Sequence, residues 1–180
     1  VQARMQVEYI SNIVKCRKVK VWGRSELSVE KYIKEMSIEG WEIARAIKTD
    51  DIAETCDLIV TTTPSKSPLL KKNNLKKGTL IIAVGSDSPD KQELDEKILQ
   101  CADYIVADSI VQCIDRGEIS HGIKNNIINQ DKIAELGNLI DNKKNVNCRN
   151  NQIIVADLTG VAVQDIQIAK AVYKACERLG

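Results

Sequence analysis

Ala3, Val7, Ile10 and Val14 recur at the interval that collects apolar side chains on one helical face, so a helix is predicted over residues 2–15. The period then changes. Val19-Lys20-Val21-Trp22 alternates apolar and polar positions, as a half-buried strand does, and stops at Gly23. Ser28 can cap a second helix with Val29, Ile33 and Met36 on its inner face; Gly40 lies beyond its end, before a short strand from Trp41 to Ala46. Asp50 and Asp51 open a brief helix through Cys56. Leu58-Ile59-Val60 and Leu80 to Val84 are continuous apolar runs that end in polar loops, as strands buried on both faces do. Next come a helix around Glu93 to Cys101 and a strand from Tyr104 to Ala107. Asp131 is expected to cap a helix carrying Ile133, Leu136 and Ile140. A strand from Gln152 to Val155 and a helix over residues 161–178, with Ile168, Val172 and Ala175 inward, complete the reading; the Asn-rich stretch 142–152 reads as loop.

Strands alternating with helices, rather than hairpins, predict an α/β fold with a parallel sheet and helical crossovers. In open sheets of this kind, ligands sit beyond the carboxyl ends of the strands. The polar loops fall there: Gly23-Arg24-Ser25, Thr61 to Ser65, Gly85 to Lys91, and Asp157 to Gly160. Their placement predicts one ligand cleft.

Composition narrows the function. The 180 residues suit one domain, and 26 basic against 25 acidic side chains give a formal net charge of +1. No clustered cationic face is visible, so nucleic acid is not an expected partner. No apolar run approaches the roughly 20 residues that span a bilayer, so no membrane is expected. The cysteines at 16, 56, 101, 113, 148 and 176 lie far apart, with no C-x-x-C pair. Reduced packing cysteines in a cytoplasmic protein with no metal site is the expectation.

Several loops also resemble one family. Val1-Gln2-Ala3-Arg4 resembles the segment just after the glycine loop in ornithine cyclodeaminases, archaeal-type alanine dehydrogenases and mu-crystallin. Asp57 to Pro68 resembles that family's fourth strand and following loop, and Gly85 to Leu94 its pattern Gly-x-Asp-x-Pro-Gly-Lys-x-Glu-Leu. Gln112, Gly117-Glu118, Glu135-Leu136-Gly137 and Asp157 to Asp165 continue in the same order. Asp90 departs from the family's usual Gly, and Ala156 and Leu158 replace a usual Phe and Ser. The resemblance implies a Rossmann-like, doubly wound parallel sheet over residues 1–160, truncated at its N-terminal strand and glycine loop. It also implies a helix over 161–180 leading toward a substrate and dimerisation domain. The absent strand is central to such a sheet, so its neighbours are expected to flank an empty slot, and the chain is expected to be part of a longer polypeptide.

From the residues alone Asp87 reads as the cap of the turn before Pro89; the resemblance instead assigns it as the catalytic carboxylate. Lys91 could pair with Asp87 or with a substrate carboxylate. Val1, Gln2, Thr62, Thr63, Pro64, Ser65 and Gly85 are expected to border the cofactor's phosphates and riboses, with Thr159 and Gly160 at the nicotinamide end. Arg24 and Ser25 stand where NAD-specific folds place an acidic residue, which favours NADP(H), with NAD(H) as the other option. His121, the only histidine, reads as a surface-loop residue. The implied activity is that of an amino-acid cyclodeaminase or dehydrogenase working through an imine, on an amino acid or cyclic imine, in a homodimer. An NADPH-dependent ketimine reductase or a non-catalytic mu-crystallin-like binding protein is the alternative. Asp87 leans toward the first branch and the Arg24 loop toward the second.

Overall fold

The computed structural model describes residues 1–141 and 151–179. In chain order the elements are α1 (Gln2–Ile10), β1 (Lys18–Val21), α2 (Glu26–Ile38), β2 (Glu42–Arg45), α3 (Thr49–Ala53), β3 (Leu58–Thr61), β4 (Lys66–Leu70), β5 (Leu80–Ala83) and β6 (Gln92–Leu94). They continue with α4 (Glu96–Cys101), β7 (Tyr104–Ala107), α5 (Ile110–Asp115), α6 (Glu118–Lys124), β8 (Ile133–Glu135), α7 (Leu136–Asp141), β9 (Ile154–Asp157) and α8 (Ala162–Leu179).

A five-stranded sheet in the order β3-β5-β9-β7-β8 is parallel throughout. This is the α/β fold expected, and it is explained by one residue row. Ile59, Ile81, Val155, Ile105 and Ile133 stand opposite one another across all five strands, and all are buried. β-Branched side chains suit such a pleated, covered surface, and burying them drives the sheet together. Ile98 and Leu99 of α4 and Ile119 of α6 add to the same core.

Two short parallel pairs accompany this sheet: β4 with β6, and β1 with β2. The β1–β2 pair runs in register from Lys18 opposite Glu42 to Val21 opposite Arg45. Helix α2 covers it with Val29 and Met36. Between β1 and β3 lies a cavity of about 600 Å³, bordered by Val7, Val19, Val21, Leu58, Val60 and Thr61 among others. Neither β1 nor β3 has a strand on its cavity side among the described residues.

Several expectations need correction. Helix α1 ends at Ile10, because the Ser11 hydroxyl bonds back to the Glu8 carbonyl at 2.5 Å and the chain continues as turns to Val14. Ser25, not Ser28, caps α2, accepting from the Ser28 N–H at 3.4 Å. The stretch expected as one helix from Glu93 splits, since Gln92–Leu94 pairs with β4 and Asp95 then caps α4. Asp131 caps no α-helix; Ile133–Glu135 joins the sheet edge beside β7, and α7 begins only at Leu136. His121 lies on α6 rather than in a loop. Ile168, Val172 and Ala175 of α8 are exposed, not inward. Most of the Asn-rich stretch, with Cys148, falls outside the described residues. Among the described residues no helix is long and apolar enough to cross a membrane.

Candidate functional site

All five strands of the large sheet end in one row: Thr61, Ala83, Asp157, Ala107 and Glu135 stand opposite one another. The loops that leave this row therefore share one edge of the sheet. Thr62 to Ser65 follows β3, Gly85 to Lys91 follows β5, and Leu158 to Gly160 follows β9.

The first two loops are tied together by a buried acid. Glu93, fully buried, accepts the Thr63 N–H through Oε1 at 2.6 Å and the Gly85 N–H through Oε2 at 3.0 Å. Gly85 has no room for a side chain: a Cβ there would overlap the Thr63 carbonyl and amide and come within 2.6 Å of Glu93 Oε2. The Glu93 backbone is held in turn. Glu118, at the start of α6, accepts the Glu93 N–H at 2.7 Å and the Leu94 N–H at 3.0 Å. Burial raises the Glu118 carboxyl to about 7, against the pull of those two N–H groups. Asp157, at the end of β9, accepts the Ile119 N–H at 2.8 Å, and burial raises its carboxyl well above the ordinary range. Its Oδ1 is buried without a partner. No ion pair reaches Glu93, Glu118 or Asp157 among the described residues.

The loop after β5 presents Asp87 at its surface, paired with Lys91 Nζ at 2.5 Å, four residues on. The Asp87 side chain is 56% exposed and that of Lys91 is 26% exposed, so the pair stands at the open side of the edge. The Lys91 carbonyl is pinned from two directions, accepting from Ser86 Oγ at 2.7 Å and bonded to His121 Nε2 at 2.8 Å. His121 thus supports the loop. Asp90 pairs with Lys66 of β4 at 2.6 Å, and that contact holds its carboxyl down at about 2.

After β9, Thr159 and Gly160 are fixed by Asp108 and Gln112. Asp108 accepts the Gly160 N–H at 2.8 Å and the Thr159 hydroxyl at 3.2 Å. Gln112 donates to Thr159 Oγ1 at 2.7 Å and to the Gly160 carbonyl at 2.5 Å. Cys113, buried beside Thr159, has its thiol pushed up to about 12 by burial, so it packs and does not react.

The expected residues therefore fall into two groups. Thr62, Thr63, Pro64, Ser65, Gly85, Asp87, Lys91, Thr159 and Gly160 lie along the carboxyl edge of adjacent strands. Val1 and Gln2 stand at the start of α1, and Arg24 and Ser25 beyond the end of β1; none of the four borders the cavity between β1 and β3. No side chain caps the N-terminus of α1, and Arg24 is exposed with no hydrogen bond or ion pair among the described residues. Glu26, the nearest acid to the end of β1, is held by Arg45 at 2.5 Å. Sequence reasoning missed Glu93, Asp108 and Asp157 as site builders. Their partners lie far away along the chain; Glu93 and Asp157, like Glu118 after Gly117, stand within stretches that carry the family resemblance, but none of them was given a role there.

The family model for "Ornithine cyclodeaminase/mu-crystallin family" matches residues 1–179. An uncharacterized cyclodeaminase of Sinorhizobium fredii is 34% identical over 179 residues, which is 98% of this chain and 54% of that protein. Two solved structures superpose closely. An archaeal alanine dehydrogenase dimer with bound NAD gives a TM-score of 0.92 at 31% identity, covering 99% of this chain and 56% of that one. The Delta(1)-pyrroline-2-carboxylate reductase of Thermococcus litoralis, in complex with NADH and L-proline, gives 0.92 at 26% identity, covering 98% and 56%. The chain thus spans about half the length of these relatives.

Proposed function

Because the chain belongs to the ornithine cyclodeaminase/mu-crystallin family, we propose that it supplies the dinucleotide-binding half of an enzyme that interconverts an amino acid and its imine. One observation carries this reading. Three strand-end loops converge on a single edge, and the Asp87–Lys91 pair stands exposed at the middle one.

The residues present suit a nicotinamide dinucleotide. The close approach of Gly85 to the Thr63 backbone leaves no room for a side chain at position 85, and the Thr61 hydroxyl, at the cavity wall, has no partner. The hydroxyls of Thr62, Thr63 and Ser65, with Pro64 and Gly85, would border riboses and phosphates. Val1 and Gln2 open α1, whose uncapped first-turn N–H groups favour a phosphate. Thr159 and Gly160, held rigid by Asp108 and Gln112, would border the nicotinamide. The bound cofactor supplies hydride exchange with the substrate carbon. Asp87 then handles the proton at the substrate nitrogen or at an attacking water, and Lys91 orients its carboxylate.

NADP(H) is the preferred form in this reading. Arg24 is unengaged, while Glu26, the acid that could accept from ribose hydroxyls, is already taken by Arg45. The solved relatives named above hold NAD or NADH, so the choice rests on the unengaged Arg24 and on the Glu26–Arg45 pair. Cyclodeaminase or dehydrogenase chemistry in a homodimer completes the proposal.

The test uses the intact protein. Asp87→Asn is expected to lower kcat about 100-fold or more, with the dinucleotide dissociation constant unchanged within about twofold. An unchanged kcat overturns the assignment of Asp87. The same titrations, run with NADP and NAD, decide the cofactor, and tighter binding of NAD overturns the preference.

A further inference from the structure

We infer that Glu93 is a positioning residue for the cleft: its buried carboxylate sets the spacing between the loop after β3 and the loop after β5, the pair that would clasp the dinucleotide. The inference rests on the functional reading above. Two independent observations carry it.

The first is the arrangement of donors. Both carboxylate oxygens are used, each by a backbone N–H from a different strand end, Thr63 at 2.6 Å and Gly85 at 3.0 Å. A glutamine offers only one acceptor oxygen, and its NH₂ would face the other N–H as donor against donor. The second is the close approach at Gly85, where the backbone of one loop fills the space a Cβ would need on the other. The loops touch, and the carboxylate is the fastener at the point of contact.

Burying a carboxylate with no cation beside it is unfavourable unless its hydrogen bonds are complete. Here the fastener is itself anchored. Glu118 of α6 holds the Glu93 and Leu94 N–H groups, and Asp157 of β9 holds the Ile119 N–H of that same helix. A chain of buried acids thus runs from the Thr62 to Ser65 loop to β9, the strand whose following loop carries Thr159. If Glu93 lets go, Thr63 and Gly85 lose their common reference, while Asp87, held through the separately pinned Lys91 carbonyl, stays in place.

The experiment is Glu93→Gln in the intact protein, read by amide hydrogen exchange and by dinucleotide titration. Exchange at Thr63 and Gly85 is expected to rise at least about tenfold while Ile81 and Ile82 in mid-strand keep their protection. The dinucleotide dissociation constant is expected to rise about tenfold, with kcat at saturating cofactor within about threefold. Glu93→Asp, a shorter carboxylate, is expected to free one of the two amides and to restore part of the affinity. It also serves if the glutamine variant does not fold. Unchanged exchange at both amides overturns the inference, and so does faster exchange with unchanged affinity. A wild-type protein that binds no dinucleotide overturns the function itself, a result that these two outcomes do not mimic.

Discussion

Strands of the same length behave differently in the five-stranded sheet and in the β1–β2 pair of this chain. β1 and β2 are four residues each, and no residue of either is buried. β3, β5, β7 and β9 are also four residues each, and every one carries buried positions; in β7 there are three. The difference lies in coverage. The large sheet is closed by neighbouring strands and by α4 and α6, whereas the small pair has α2 on one face and the cavity along its open edge. Water exclusion then decides the chemistry. In the large-sheet region, burial pushes the carboxyls of Glu118 and Asp157 upward. In the N-terminal region, Asp51 is only half-buried, and the N–H groups of Lys48 and Ile47 hold its carboxyl down.

The largest expected effect tests the packing half of that contrast. Ile81 is fully buried in mid-β5, between β3 and β9. Ile81→Ala removes buried methyl groups and leaves a void, so it is expected to cost about 2–5 kcal/mol. Val19→Ala on β1, which faces the cavity, is expected to cost below about 1 kcal/mol. Urea denaturation of both variants measures this. Equal losses would mean that the two sheets share one core, contrary to the burial pattern.

A pH series separates the regions next. Glu118 stays protonated in the folded chain up to about 7, while its ordinary value is 4.5. Between those values the folded state holds more protons than the unfolded one, so stability falls as pH rises. The contribution reaches about 3 kcal/mol at the upper end. Asp157, raised in the same direction by burial, extends the decline from the acid side. Asp51 acts oppositely: its stabilisation is present above 3.8 and is lost as pH falls through its depressed value. Glu118→Gln should therefore flatten the slope of the urea midpoint between about pH 4.5 and 7. A slope identical to wild type would show that Glu118 does not carry it.

The same contrast governs what could be read from sequence. Three strands of the large sheet, β3, β5 and β7, were legible because Leu58 to Val60, Leu80 to Val84 and Tyr104 to Ala107 are continuous apolar runs. β4, β6 and β8 were not, since Lys-Ser-Pro-Leu-Leu, Gln-Glu-Leu and Ile-Ala-Glu are strands only through their partners. α6 was hidden because Glu118 and Ser120 sit among its buried positions and break the apolar period. At the site, loops were easy to place, since polar runs after apolar strands mark the carboxyl edge. The acids that hold those loops were not. A buried glutamate looks like a surface one until the N–H groups it accepts, 30 positions away in the case of Glu93 and Thr63, are brought to it.

The smallest effect gives the cleanest separation, because it compares two glycines with nearly the same backbone. Gly40, after α2, has φ of +83°, and Gly117, before α6, has φ of +86°. Both lie in the left-handed region, where an L side chain is strained whatever surrounds it. Their surroundings differ. A Cβ at Gly40 would meet nothing within 4 Å, while one at Gly117 would come within 2.6 Å of Asp157 Oδ2 and 2.7 Å of Thr159 Cγ2. Gly40→Ala therefore reports backbone strain alone, about 1 kcal/mol. Gly117→Ala adds the overlap and should reach about 2–3 kcal/mol. It should also loosen the Ile119 N–H bond to Asp157, visible as faster amide exchange at Ile119. Equal costs for the two, with Ile119 still protected, would mean that Asp157 can move aside, and the chain of buried acids would be softer than its distances imply.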